Sequence, residues 1–104
     1  MTTVLNGKRA VVTGAAGGIG AALAAELIDR GTAVVLADLS PDVSDIAAEL
    51  GASAFAWTGD VSSVEGIGAL IDFADDCLGG IDLYFANAGI IGPAMLGEDD
   101  ADWD

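Results

Sequence analysis

The apolar residues of this chain fall into alternating short runs and helical stripes. Residues 9–13 and 33–37 carry the runs Ala10-Val11-Val12 and Ala33-Val34-Val35-Leu36-Ala37, which suit strands buried on both faces. Between them, residues 18–30 place Ile19, Leu23 and Leu27 on one helical face, and Gly31 acts as a stop. Ser40 and Pro41 read as an N-cap followed by a first-turn proline. Val43, Ile46, Ala47 and Leu50 then form a second stripe that ends at Gly51. A third strand is expected at 52–57. A third helix opens at Ser62 or Ser63, with Val64, Ile67, Leu70, Ile71, Ala74, Cys77 and Leu78 facing inward. Gly79-Gly80 closes it, residues 81–86 give a fourth strand, and an acidic, glycine-containing tail follows Gly92-Pro93.

Strands alternating with helices over short connections specify an α/β fold, a parallel sheet with helices on both faces. Right-handed crossovers put the first two helices on one face and the third on the other, provided strand four lies beside strand one. The expected order is 3-2-1-4, a Rossmann-type sheet whose switch point lies between strands one and four. Ligands of such sheets bind at the carboxyl ends of the strands beside that switch. The turn after strand one, Asp38, Asp60 and Asn87 all fall at such ends.

The turn itself, Thr13-Gly14-Ala15-Ala16-Gly17-Gly18-Ile19-Gly20, joins a strand to a helix. A diphosphate reaches backbone N–H groups only where no Cβ intervenes, and a helix start adds unpaired donors and the positive end of a dipole. Asp38 follows Gly20 by 18 residues, near the ~20-residue spacing of a carboxylate that holds a ribose 2′-hydroxyl. Asp38 either does this or caps the segment that follows it. The pattern reads as a dinucleotide site. Gly-x-x-x-x-Gly-Lys-Ser/Thr is absent, which argues against phosphate-loop nucleotide hydrolysis.

Composition narrows the partners. The chain has 104 residues, consistent with one domain, and 53% are hydrophobic, enough for a core. Its net charge is −14, and Lys8, Arg9 and Arg30 are the only bases. Such a surface repels nucleic acid and anionic lipid, so neither is expected as a partner. The acidity reads as a solubilising face. One cysteine, Cys77, permits no intrachain disulfide and reads as a small core residue. Histidine is absent, removing His-based metal sites and His general bases. Lys8-Arg9 before an uncharged stretch superficially resembles a secretory leader, but glycines interrupt that stretch and it is too short to span a bilayer. A cytoplasmic location is expected.

Four motifs in order, Thr13-Gly14-x-x-x-Gly18-Ile19-Gly20, Asp38, Gly59-Asp60-Val61 and Asn87-Ala88-Gly89, resemble the N-terminal half of a classical short-chain dehydrogenase/reductase. Gly14, Gly17 and Gly20 also fit the spacing of extended members, but Asn87-Ala88-Gly89 favours the classical type. The resemblance covers essentially the whole chain. It implies binding of NAD or NADP and hydride transfer between hydroxyl and carbonyl groups. Gly14, Gly17, Gly18, Ile19 and Gly20 would cradle the pyrophosphate; Asp38 and Leu39 would meet the adenosine ribose; Asp60 and Val61 would meet adenine. Asn87, Ala88 and Gly89 would border the cofactor, with Asn87 also able to hold the sheet edge. Asp60 could instead serve as a helix N-terminal charge, though the adenine contact is favoured. Asp38 would repel a 2′-phosphate and no base stands at 15–17 or 39, so NAD is favoured over NADP. Trp57 and Trp103 read as packing residues.

The family performs proton transfer with a tyrosine and a lysine four residues later. Here the only tyrosine is Tyr84 and the only lysine is Lys8, so the pair is absent and no catalytic residue is assigned. The 104 residues are expected to form an incomplete dinucleotide-binding domain, with a tail from about 93 leading into a missing helix. The polypeptide is expected to be inactive alone and to self-associate through strand four, while the full-length form is expected to be a homo-oligomer. A stand-alone nucleotide-binding or regulatory module without catalysis, or a purely structural remnant, would also fit. The substrate is not legible.

Overall fold

A computed structural model of the chain describes residues 5–87. Seven elements alternate: β1 (Arg9–Thr13), α1 (Gly18–Asp29), β2 (Ala33–Asp38), α2 (Asp42–Leu50), β3 (Ala54–Thr58), α3 (Val64–Leu78) and β4 (Leu83–Phe85). The strands pair in parallel in the order β3-β2-β1-β4. This is the expected order. β1 and β2 are central, which explains their unbroken apolar runs: each has helices against both faces and no side that must meet water.

The strand period divides those runs between two cores. Ala10, Val12, Val34 and Leu36 point to one face and pack with Ala24 and Leu27 of α1 and Val43 and Ala47 of α2. Val11, Val35 and Ala37 point to the other and pack with Leu70 and Ala74 of α3. Alternate residues of one strand therefore serve opposite faces. Small residues dominate the contacts of α1, which lets the helix lie close to the sheet. Trp57 packs against the second core, as expected.

Three apolar residues depart from the helical stripes. Val64 is 87% exposed, Ile67 is exposed, and Ile19 is 77% exposed. Each lies in the first turn of its helix, before the helix reaches the sheet; the buried register of α3 starts at Leu70. Boundaries shift for local reasons as well. β3 begins at Ala54 because Ala54 N–H donates to the Gly51 carbonyl in a turn where Gly51 takes a φ of 103°. β4 is three residues long, its pairing limited to Leu83–Phe85 against Ala10–Val12. Gly31, with a φ of 93°, stops α1 as read. The tail and Trp103 lie outside the described residues.

At the amino ends of the strands the chain is closed by polar bonds. The Arg9 guanidinium forks onto Asp82, with Nε to Oδ2 at 3.0 Å and Nη2 to Oδ1 at 3.1 Å. Its Nη1 donates to the Gly79 carbonyl at the end of α3. The Arg9 main chain also donates to Asp82 Oδ2, and Asp82 N–H returns a bond to the Arg9 carbonyl. Arg9 holds the Asp82 carboxyl well below its ordinary 3.8, to about 2. Gly7 N–H to the Gly31 carbonyl and the Thr32 hydroxyl to the Leu5 carbonyl complete the closure.

Candidate functional site

The carboxyl end of the sheet is built differently. After β1 the chain turns at Gly14, whose φ of 68° favours glycine. Gly17 N–H closes the turn on the Gly14 carbonyl at 3.2 Å, and Ala15 N–H docks it on the Ala37 carbonyl of β2 at 3.1 Å. Gly20 is buried against this turn, and a Cβ there would collide with the Gly14 carbonyl and the Ala15 main chain. Conformation and packing thus account for Gly14 and Gly20. They do not account for Gly18, where a Cβ would meet nothing, or for Gly17, where it would make only an ordinary contact of 3.6 Å.

α1 starts at Gly18 with no side-chain cap and no acidic residue in its first turn. At α3, Ser63 Oγ accepts from Gly66 N–H at 2.9 Å; α2 has no side-chain cap at Pro41 either, but Ser40 Oγ accepts from Asp42 N–H at 3.1 Å and Asp42 and Asp45 fill its first turn. An uncapped, glycine-lined helix start presents free N–H donors and a positive dipole end to an incoming anion. The exposure of Ile19 places it at this open turn rather than in the core.

Beside the turn lies a cleft of about 210 Å³ lined by Gly14, Asp38, Leu39, Gly59, Asp60, Val61 and Ser62. It unites the carboxyl ends of β1, β2 and β3. Asp38 is half-buried at its centre. Its Oδ2 accepts from Ala16 N–H and its Oδ1 from Ser40 N–H, both at 2.9 Å, while its carbonyl accepts from Gly59 N–H at 2.9 Å. A carboxylate has about four lone-pair sites, so its two bonds leave acceptor capacity on a residue that lines the cleft. Leu39, 68% exposed, supplies an apolar lip. Asp60 Oδ1 accepts from Ser62 N–H at 2.8 Å, and hydrogen bonding from Ser62 holds its carboxyl below the ordinary carboxylate value. Asp60 thus closes a turn ahead of α3, whose cap is Ser63 and whose first-turn acid is Glu65, and it forms part of the wall of the cleft.

Asn87 stands apart from this cleft. With Leu23, Phe85 and Ala86 it lines a second, more open depression of about 200 Å³. Asn87 N–H and the Thr13 hydroxyl both donate to the Phe85 carbonyl, at 3.0 and 3.3 Å. Ala88 and Gly89 lie outside the described residues. Tyr84, in β4, has its phenol raised above its ordinary value by burial. Cys77 is half-buried, and burial followed by the charge of Asp76 raises its thiol. No cluster of metal-ligating side chains occurs among the described residues, and no helix there is long and apolar enough to cross a membrane.

Sequence reading missed Gly59, Ser62, Ala16 and Ser40 as parts of the site. Gly59 was quoted within the Gly59-Asp60-Val61 motif without a role of its own, and Ser62 was signalled only by adjacency. Ala16 and Ser40 enter through their main-chain N–H groups, which side-chain identity does not report.

A glycine turn at an uncapped helix start, an acidic residue ending β2 and a β3-end cleft define a Rossmann-type nucleotide fold. Residues 8–104 match the family model described as short chain dehydrogenase. The chain belongs to that family. It is 41% identical over 93 residues to a 7alpha-hydroxysteroid dehydrogenase of Escherichia coli, covering 86% of this chain and 36% of that protein. A 1-deoxy-11-beta-hydroxypentalenate dehydrogenase of Streptomyces exfoliatus is 46% identical over 93 residues, covering 86% and 34% respectively. Among solved structures, a 3-ketoacyl-(acyl-carrier-protein) reductase from Brucella melitensis complexed with NADH superposes with a TM-score of 0.76 at 27% identity. The match covers 90% of this chain and 43% of that one. The chain thus spans about a third of the length of these curated relatives.

Proposed function

We propose that residues 1–104 form a dinucleotide-binding unit that holds the adenosine diphosphate half of NAD, within an oxidoreductase that interconverts a hydroxyl and a carbonyl group. The carrying observation is the uncapped start of α1, whose glycines at 17 and 18 leave the main chain bare without any packing reason. The N–H groups of Gly18, Ile19 and Gly20 would receive the pyrophosphate, with Gly17, whose own N–H closes the turn, leaving the approach open and the Ile19 side chain at the edge of that cradle. Asp38 and Leu39 would receive the ribose, Asp60 and Val61 the adenine. Asn87, with Ala88 and Gly89, would border the nicotinamide side. Bound there, NAD supplies the hydride acceptor or donor.

Asp38 carries the preference for NAD. A carboxylate accepts from two ribose hydroxyls but opposes a 2′-phosphate, and no base stands at 15–17 or 39 to reverse that. Chemistry is a separate matter. Proton transfer at the substrate requires an acid whose pKa sits near the working pH. The Tyr84 phenol is shifted away from that range, and Lys8 precedes β1 at the far end of the sheet. The 104-residue polypeptide is accordingly expected to be inactive by itself.

Calorimetric titration tests this directly. NAD is expected to bind at least tenfold more tightly than NADP, equivalent to about 1.4 kcal/mol. Tighter binding of NADP would overturn the role given to Asp38, and no binding of either would overturn the reading. Among the described residues β4 lies at the edge of the sheet, which should lead the polypeptide to self-associate; a monomer stable on concentration in size-exclusion chromatography would contradict that.

A further inference from the structure

We propose that Asp38 is also a positioning residue: its carboxylate latches the phosphate-binding turn in place before any ligand arrives. The proposal rests on the dinucleotide reading and extends it from ribose selection to the pyrophosphate cradle. Three loops border the cleft, and Asp38 is bonded to all of them. Oδ2 accepts from Ala16 N–H in the glycine turn, at 2.9 Å. Oδ1 accepts from Ser40 N–H in the β2–α2 connection, at 2.9 Å. The main-chain oxygen accepts from Gly59 N–H at the end of β3, at 2.9 Å.

Ala15 is buried in the core and Gly20 packs beneath the turn, but few polar bonds fix its main chain. Beyond Gly14 its own bonds are Ala15 N–H to the Ala37 carbonyl and Gly17 N–H to the Gly14 carbonyl. Its glycines cost more entropy to order than other residues. Hydrogen bonds to a charged acceptor are about twice as strong as neutral ones, so the Ala16 bond is well suited to this task. One carboxylate then performs two functions in different directions. Its outward lone pairs select a ribose diol, while its inward lone pairs hold the N–H array that receives the diphosphate. It follows that removing Asp38 to admit a 2′-phosphate would also loosen the phosphate cradle.

The two functions separate with a ligand that lacks the hydroxyls Asp38 would bind. Calorimetric titration of 2′,3′-dideoxy-ADP into the full 104-residue chain should show Asp38→Ala binding about tenfold more weakly than the unsubstituted chain. A residue acting only on the ribose would leave that affinity unchanged, or raise it by removing a negative charge; either result overturns the proposal. Peptide-level hydrogen exchange without ligand supplies an independent readout. Exchange over residues 14–20 should quicken in Asp38→Ala, and to a smaller degree in Asp38→Asn, which keeps one acceptor oxygen and remains informative should the alanine variant fail to fold. Unchanged exchange over 14–20 in Asp38→Asn would also overturn the latch. Failure of the unsubstituted chain to bind ADP would instead defeat the nucleotide reading, while the exchange result still decides the latch.

Discussion

The two ends of the sheet solve opposite problems. At the amino end, Arg9, Asp82, Gly79, Gly31 and Leu5 exchange bonds until their polar groups are paired, and the chain is closed. At the carboxyl end, α1 begins without a cap, Asp38 keeps unused acceptors and Leu39 stays exposed. Side chains secure the first end, whereas main chain and the carboxylates of Asp38 and Asp60 shape the second. The contrast separates residues that hold the fold from residues held ready for a ligand.

Substitutions can break that division or sharpen it. The largest effect is expected in the shared core: Leu70→Ala removes a fully buried side chain beneath α3 and should cost about 2–5 kcal/mol in urea unfolding. Val64→Ala, on the same helix but 87% exposed, should stay within about 0.5 kcal/mol. Equal losses would place the wrong face of α3 against the sheet. Gly20→Ala follows, because its Cβ meets main chain that cannot rotate away. Overpacking of about 1–3 kcal/mol is expected from the same unfolding curves, with NAD affinity falling alongside.

The amino-end clamp should reveal itself through pH. Asp82 is held at about 2 in the folded chain against an ordinary 3.8. Its folded value is the lower one, so the unfolded chain takes up the proton first as the medium is acidified. The clamp's contribution is complete above about pH 4 and is lost as pH falls through about 2. Asp82→Asn should therefore flatten the acid limb of the stability profile and leave NAD affinity at neutral pH unaltered. A drop in affinity would show that the ends are not separate. The smallest effect is electrostatic: with a net charge of −14, NAD binding should tighten about twofold or less as salt is raised from low to physiological ionic strength.

Much of this was legible from residues alone. Uninterrupted runs at Ala10–Val12 and Val34–Ala37 announced central strands, and glycines at 31, 51 and 79 marked where helices stop. With strand four set beside strand one, as the order β3-β2-β1-β4 has it, the division of helices between faces followed from chirality. Val64, Ile67 and Ile19 were misplaced because a helical stripe does not reveal where the partnering sheet begins. The Arg9–Asp82 clamp was missed because its partners lie 73 residues apart. It was within reach: pairing Ala10 with Leu83 in the expected order sets the preceding residues side by side. Asp38 was read as choosing between ribose capture and capping, and the structure gives it the capping bonds while leaving acceptors for the other. Its bond to Ala16 could not be anticipated, since it depends on how a glycine turn folds back over β2.

Gly18 offers the sharpest test of the claim that the carboxyl end is kept bare for a ligand and not for folding. Among the described residues a Cβ there meets no atom beyond its own helix, so Gly18→Val should leave the urea midpoint nearly unchanged while calorimetry shows NAD affinity falling at least tenfold, or about 1.4 kcal/mol. Undiminished NAD binding by a Gly18→Val chain of normal stability would contradict the account.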